Sequence, residues 1–252
     1  MVDFANIFFK DRCGDLGYGF EILEQMEEER GGRCGPNVVS YTCLMRCLCE
    51  SGRLEEALGV LDRMGLNGVE PNRVTLRTLL KGFCDKGRVD EAYRIVESMV
   101  GKERGISSRE CYSVLVVCLL RAGDWEGAQG LFGRMLERGV RPDGVACNSV
   151  MREICKRRCF LDGYNWIGVL EEKGASFVDS DVYSCLLAGL CEEGHMVEAV
   201  KLGRKIVENG VRIEDACGDC IVEAMEKVGE CHLASEILRM KEENKSELIE
   251  EN

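Results

Sequence analysis

The side chains of this 252-residue chain that could carry chemistry are sixteen cysteines and two histidines. A thiol–imidazole pair needs a cysteine beside a histidine that can take its proton, and His195 and His232 offer little to build one from. His195 follows Gly194 and reads as a plain turn residue. Cys217 and Cys220, with Cys231 and His232 further on, are zinc-ligand types. Their spacing speaks against a knuckle, because the first pair falls within one predicted helix and the second pair opens the next. No catalytic constellation, metal, cofactor or small-molecule substrate is expected.

The remaining sulfur follows helical registers. Cys49, Cys84, Cys155 and Cys191 recur near the end of one kind of helix, and Met26, Met64, Met99 and Met135 recur in another. A small or pliant buried side chain satisfies both positions, so these residues are read as packing. No secretory signal precedes the cysteines, so they are expected as free thiols in a reducing compartment. No apolar run approaches the roughly 20 residues that span a bilayer, so no membrane partner is expected. The amino terminus is neither Arg-rich nor Ser-rich and carries Asp3, so no transit peptide is visible.

Those registers belong to a repeat. Pro36, Pro71 and Pro142 lie 35 and then 71 residues apart, one period and then two. A glycine is followed five residues later by alanine at Gly52/Ala57, Gly87/Ala92, Gly123/Ala128, Gly194/Ala199 and Gly229/Ala234, with one unit skipped. Self-similarity at this period marks a solenoid whose units bury their apolar faces against their neighbours. In residues 38–72 a first helix from Val39 to Cys49 stops at Ser51-Gly52. A second, from about Leu54 to Met64, carries Leu54, Ala57, Leu58, Leu61 and Met64 on one stripe.

This unit resembles the pentatricopeptide repeat: a Tyr-centred first helix, Leu-Cys-x-x-Gly-Arg, Glu-Glu-Ala-Leu, and a closing Gly-Val-x-Pro-Asn. A tetratricopeptide repeat fits less well, since its period is 34 and it places Trp and Leu-Gly early in the first helix. These units run 35 or 36 and align Tyr41, Tyr112 and Tyr183. The expected architecture is an all-α right-handed superhelical solenoid of helix-turn-helix repeats. It comprises a degenerate or truncated first repeat (1–37), six repeats (38–72, 73–108, 109–143, 144–179, 180–214, 215–241) and an acidic tail (242–252) that is a solvated helical end or disordered. A one-residue insertion is expected near Phe177.

The resemblance implies sequence-selective binding of single-stranded RNA along the first helices, one base per unit, in organelle RNA processing or stability. It implies a mitochondrial or plastid location, mitochondrion favoured. It assigns base reading to the residue after the Tyr position together with the last residue of the unit. Thr42 with Asn72 corresponds to adenine, Ser113 with Asp143 to guanine, and Asn148 with Asp179 to uracil. Val39, Val74 and Val145 would clamp bases, with Glu110 replacing one clamp. Arg77, Ser184 with Glu214, and Asp219 stand at reader positions without being standard readers. Candidate phosphate contacts are Arg46, Arg77, Lys81 and Arg152. The deaminase signature that some relatives carry is not matched around His195, so no enzyme is expected.

The formal charge of −12 opposes nucleic-acid binding unless the acid lies elsewhere. Predicted first helices carry 0, +2, +1 and +1 over 38–50, 73–85, 109–121 and 144–156, then −2 and −3 over 180–192 and 215–227. Acid concentrates on second helices, in the last units and in the tail. A groove of moderate positive charge and salt-sensitive affinity follows. The alternative is a protein-binding scaffold that takes a peptide or helix in the groove.

Overall fold

The computed structural model describes residues 16–28, 35–99, 107–174, 178–213 and 215–250. Among these residues every regular element is an α-helix and no strand occurs. Helix α1 (Leu16–Glu28) precedes six hairpins. They are α2 (Val38–Glu50) with α3 (Leu54–Leu66), α4 (Arg73–Asp85) with α5 (Val89–Met99), and α6 (Ser108–Ala122) with α7 (Trp125–Glu137). Then come α8 (Gly144–Lys156) with α9 (Phe160–Glu172), α10 (Ser180–Glu192) with α11 (Met196–Glu208), and α12 (Asp215–Lys227) with α13 (Cys231–Glu250). The first helices start at Val38, Arg73, Ser108, Gly144, Ser180 and Asp215. Helix α13 runs through 242–250, the span read as a helical end or disordered tail. The insertion near Phe177, residues 1–15 and Glu214 lie outside the described residues.

The chain divides into two compact units, Met1–Pro142 and Asp143–Asn252. In the first, each of α2, α4 and α6 packs against its own hairpin partner, and α4 packs against both α2 and α6. In the second, α10 lies against α8 and α12 in the same way, and α11 contacts α9 and α13. An amphipathic hairpin cannot bury its face alone, so stacking first helix on first helix makes the core continuous.

The turn chemistry shows why the lattice holds. Gly52 sits at φ +77, and the Arg53 amide donates to the Leu48 carbonyl at 2.8 Å, closing the C-terminus of α2. The skipped unit solves the same problem differently. Arg158 stands where the other units have glycine and adopts φ +59, the one non-glycine residue in the left-handed region among those described. Such a conformation costs an L-residue roughly 1–2 kcal/mol. Opposing that cost, its guanidinium lies over the Phe160 ring and donates to Glu192 at 3.0 Å. Five residues on, Gly163 replaces the lattice alanine, and a methyl there would collide with Leu186.

Tyrosines seal the joints between hairpins. The Tyr41 hydroxyl donates to Glu27 at 2.9 Å and accepts from Asn67 at 2.7 Å, and Arg63 holds the other Glu27 oxygen. Burial, followed by Glu27, pushes the phenol up to about 12. Tyr112 repeats the device with Glu97 and Arg138. Among the described residues no helix is long and apolar enough to cross a membrane.

Candidate nucleic-acid interface

The last residue of a unit is also the N-cap of the next first helix. Asn72 caps α4, its Oδ1 accepting from the amides of Val74 at 2.9 Å and Thr75 at 3.0 Å. That leaves Nδ2, a pure donor, on an exposed side chain. Thr42 is only 4% exposed, and its hydroxyl contacts the Val38 carbonyl at 2.7 Å and the Thr75 hydroxyl at 2.9 Å. Thr75 in turn reaches Asn72 Oδ1 at 3.3 Å. Thr42 and Asn72 are therefore joined through Thr75, which sequence reading missed. The Asn-x-x-Thr capping-box spacing was the available signal, and Asn37-x-x-Ser40 repeats it. Both hydroxyls are buried, so the line ends outward on the Nδ2 donor of Asn72.

In the second compact unit Asn148 and Asp179 meet directly, Asn148 Oδ1 accepting from the Asp179 amide at 2.8 Å. Asn148 is 7% exposed. Asp179 stands at the N-cap of α10 but makes no cap bond with its side chain. Its carboxylate instead accepts from Arg152 at 2.8 Å, and Arg152 also holds Asp181 at 3.0 Å. A predicted reader and a predicted phosphate contact thus satisfy each other. Ser113 is buried in α6 of the first unit, while Asp143 opens the second unit as the N-cap of α8, accepting from the Ala146 amide. Val39, Val74 and Val145 are 38%, 43% and 56% exposed, unusual for valine on a packed helix. Glu110 bonds back to Ser107 in the α6 capping box. Ser184 is buried, its hydroxyl donating to the Ser180 carbonyl, and Asp219 is exposed on α12.

The remaining predicted cations converge in the first unit. Arg46, Arg77 and Lys81 line an open recess of about 650 Å³ together with Arg121 and Lys86, opposite Glu50 and Asp85. Lys81 pairs with Asp85 on its own helix. Arg121 was missed in the sequence, although it lies in the last turn of its first helix in the repeat register of Glu50 and Asp85. Two cations at the turns into second helices are held internally: Arg53 by Glu56, and Arg88 by Glu55 and Glu91.

The described cysteines are free thiols. Burial pushes Cys49 and Cys118 up to about 11 and Cys84 up to about 12. Thiols held protonated are poor nucleophiles and poor metal ligands. Among the described residues no group of three histidine, cysteine or carboxylate side chains could hold a metal ion.

Known proteins resemble this chain in sequence and in fold. A family model described as the PPR repeat family, PPR standing for pentatricopeptide repeat, matches residues 36–85, and the PPR repeat model matches 74–103, 110–140 and 181–211. A pentatricopeptide repeat-containing protein of Arabidopsis thaliana is 40% identical over 210 residues, covering 82% of this chain and 44% of that protein. A second from the same plant, named as mitochondrial, is 25% identical over 215 residues, covering 79% of this chain and 51% of that protein. The chain thus spans about half the length, or less, of these curated relatives. Among solved structures, the pentatricopeptide repeat domain of Arabidopsis thaliana protein-only RNase P 1, in complex with tRNA, superposes with a TM-score of 0.50 at 15% identity. That match covers 72% of this chain and 95% of that one, and it shows the fold. With the repeat period, the Tyr-sealed hairpins and the family matches in agreement, the chain belongs to the pentatricopeptide repeat family.

Proposed function

We propose that this chain binds single-stranded RNA selectively along its first helices, without catalysis, and acts in organelle RNA processing or stability. The observation that carries the reading is the line Thr42–Thr75–Asn72, flanked by the exposed valines 39 and 74. Apolar side chains left exposed beside an outward amide donor suit a flat, hydrogen-bonding ligand such as a base. The order of pairs gives A, any base, G, U from 5′ to 3′, with the adenine contact strongest. The superposed RNase P domain is in complex with tRNA, in keeping with an RNA partner, and one relative is named as mitochondrial, in keeping with the mitochondrion ahead of the plastid.

Asn72→Asp tests the reading cleanly, because aspartate caps a helix as well as asparagine does and α4 should be unharmed. The outward donor becomes an acceptor, so preference should move from A toward G by about 1 kcal/mol, the low end of single-base discrimination. Titration against two oligonucleotides differing at that base measures it. An unchanged ratio with measurable binding would sink the base assignments, and no RNA binding at low salt would favour a peptide-binding scaffold.

A further inference from the structure

Unit 73–108 departs from the reading pattern. Its reader position holds Arg77, exposed on α4, which offers N–H donors and no acceptor. Around it stand Arg46 from α2 and Arg121 from α6, with Lys81 and Lys86 from its own hairpin, five cations against the carboxylates of Glu50 and Asp85. Lys81 takes Asp85, while Arg46, Arg77 and Arg121 form no ion pair among the described residues. Their convergence is felt by the buried Cys118 thiol, which burial raises and which Arg121, Arg77 and Lys81 all pull back down. Like charges held together cost free energy that a bound anion removes. A neutral base would leave that repulsion in place. The recess also falls within the volumes of small-ligand pockets, roughly 300–1,000 Å³.

The geometry points to a phosphate pocket: Arg77, with Arg46 and Arg121, holds a backbone phosphate of single-stranded RNA, so unit 73–108 grips the strand where the preceding unit reads a base. This rests on the RNA-binding reading above. Arg77 then sets affinity and salt dependence, and the matching nucleotide is read without preference because the contact is to backbone.

The test titrates the full chain with an RNA of roughly ten nucleotides, enough for one base per unit. Single phosphodiesters are replaced in turn by neutral methylphosphonates. In the wild type one linkage, adjoining the base assigned to Thr42 and Asn72, should cost about tenfold, as loss of a hydrogen bond to a charged group does. Every other linkage should cost clearly less. In Arg77→Gln, with Arg46 and Arg121 still present, that same replacement should cost clearly less than in the wild type, and the slope of log affinity against log salt should shrink by at most about 0.7, one phosphate's share for a single strand. Arg77→Lys should restore most of the binding. The wild-type walk needs no variant, so a folding defect in Arg77→Gln leaves it decisive. Equal cost at every linkage overturns the pocket while leaving RNA binding intact. So does a guanine preference at this nucleotide that disappears in Arg77→Gln, since it would make Arg77 a base reader. Absence of any RNA binding by the wild type overturns both readings together.

Discussion

Arg46 and Lys81 in the first compact unit and Arg152 in the second occupy the ninth position of their repeats, on equivalent helices, yet they end in different states. Arg152 is held by Asp179 and Asp181, the residues that cap and open the next first helix. The corresponding residues after Arg46 are Asn72 and Val74, which carry no charge. After Lys81 comes Glu110, but its carboxylate accepts from Ser107 at the helix start, and Lys81 turns to Asp85. The charge a groove offers a ligand is therefore decided by the carboxylates within reach, at the last position of the repeat, the second of the next or one turn along the same helix, and the cation itself does not reveal it. A count of basic residues along first helices treats these regions as alike; the structure separates them.

The largest expected difference between the regions is in alkaline stability. In the first unit burial raises Cys49, Cys84, Cys111 and Cys118 from an ordinary 9.0 to about 11 or 12. A group whose folded pKa lies above its unfolded one contributes stability that is whole below the unfolded value and is lost as pH rises through the folded one. Stability should therefore fall between about pH 9 and 11, by at most about 1.4 kcal/mol per buried thiol per pH unit. Denaturant unfolding at pH 8 and pH 10, with hydrogen exchange resolved by region, measures this. The first unit should lose more than the second, where Cys191 is raised to about 11 and Cys155 is raised as well. Equal protection in both units at both pH values would contradict the assignment of burial as the cause.

Next comes a position where the two regions should agree. Gly82 and Gly189 share one register in α4 and α10, and helix propensity alone would favour alanine at both by about 1 kcal/mol. A methyl on Gly82 would lie 2.6 Å from Cys49 Cβ, and one on Gly189 would enter the Phe160 ring. Overpacking of this kind costs about 1–3 kcal/mol, so Gly82→Ala and Gly189→Ala should each lower the denaturation midpoint at constant m-value. A rise in either midpoint would mean that the hairpins are looser than described.

The smallest effects test the groove comparison directly by exchanging its charges. Val74→Asp should capture Arg46 and weaken RNA binding about tenfold at low salt, with the difference shrinking as salt rises. Asp181→Val should relieve Arg152 of one carboxylate and strengthen binding by a few fold, Asp179 still holding part of the charge. Opposite signs from the reciprocal pair would support the comparison. Shifts in the same direction would show that the ninth-position cations do not meet the ligand.

Much of the fold was legible because it is local. Proline and glycine punctuate, apolar residues recur at helical spacing, and the lattice glycines accept left-handed turns, so the all-helical hairpins could be read from the sequence. Helix α6 starts at Ser108 because Ser107 caps it. The reader positions were legible only through family resemblance. The Asn72-x-x-Thr75 spacing signals a capping box, but it did not foretell that Thr75 would also reach Thr42, 33 residues away, or that Asp179 would abandon its cap for Arg152.

The sequence by itself determined the repeat, its period, the helical hairpins and the register that aligns their tyrosines and cysteines, because each depends on residues within one or two turns of one another. Only the tertiary structure decided which cations remain free, which glycines must stay glycine and where the recess opens. Those outcomes depend on side chains about 30 residues apart in the chain, brought to hydrogen-bond range by stacking one hairpin on the next.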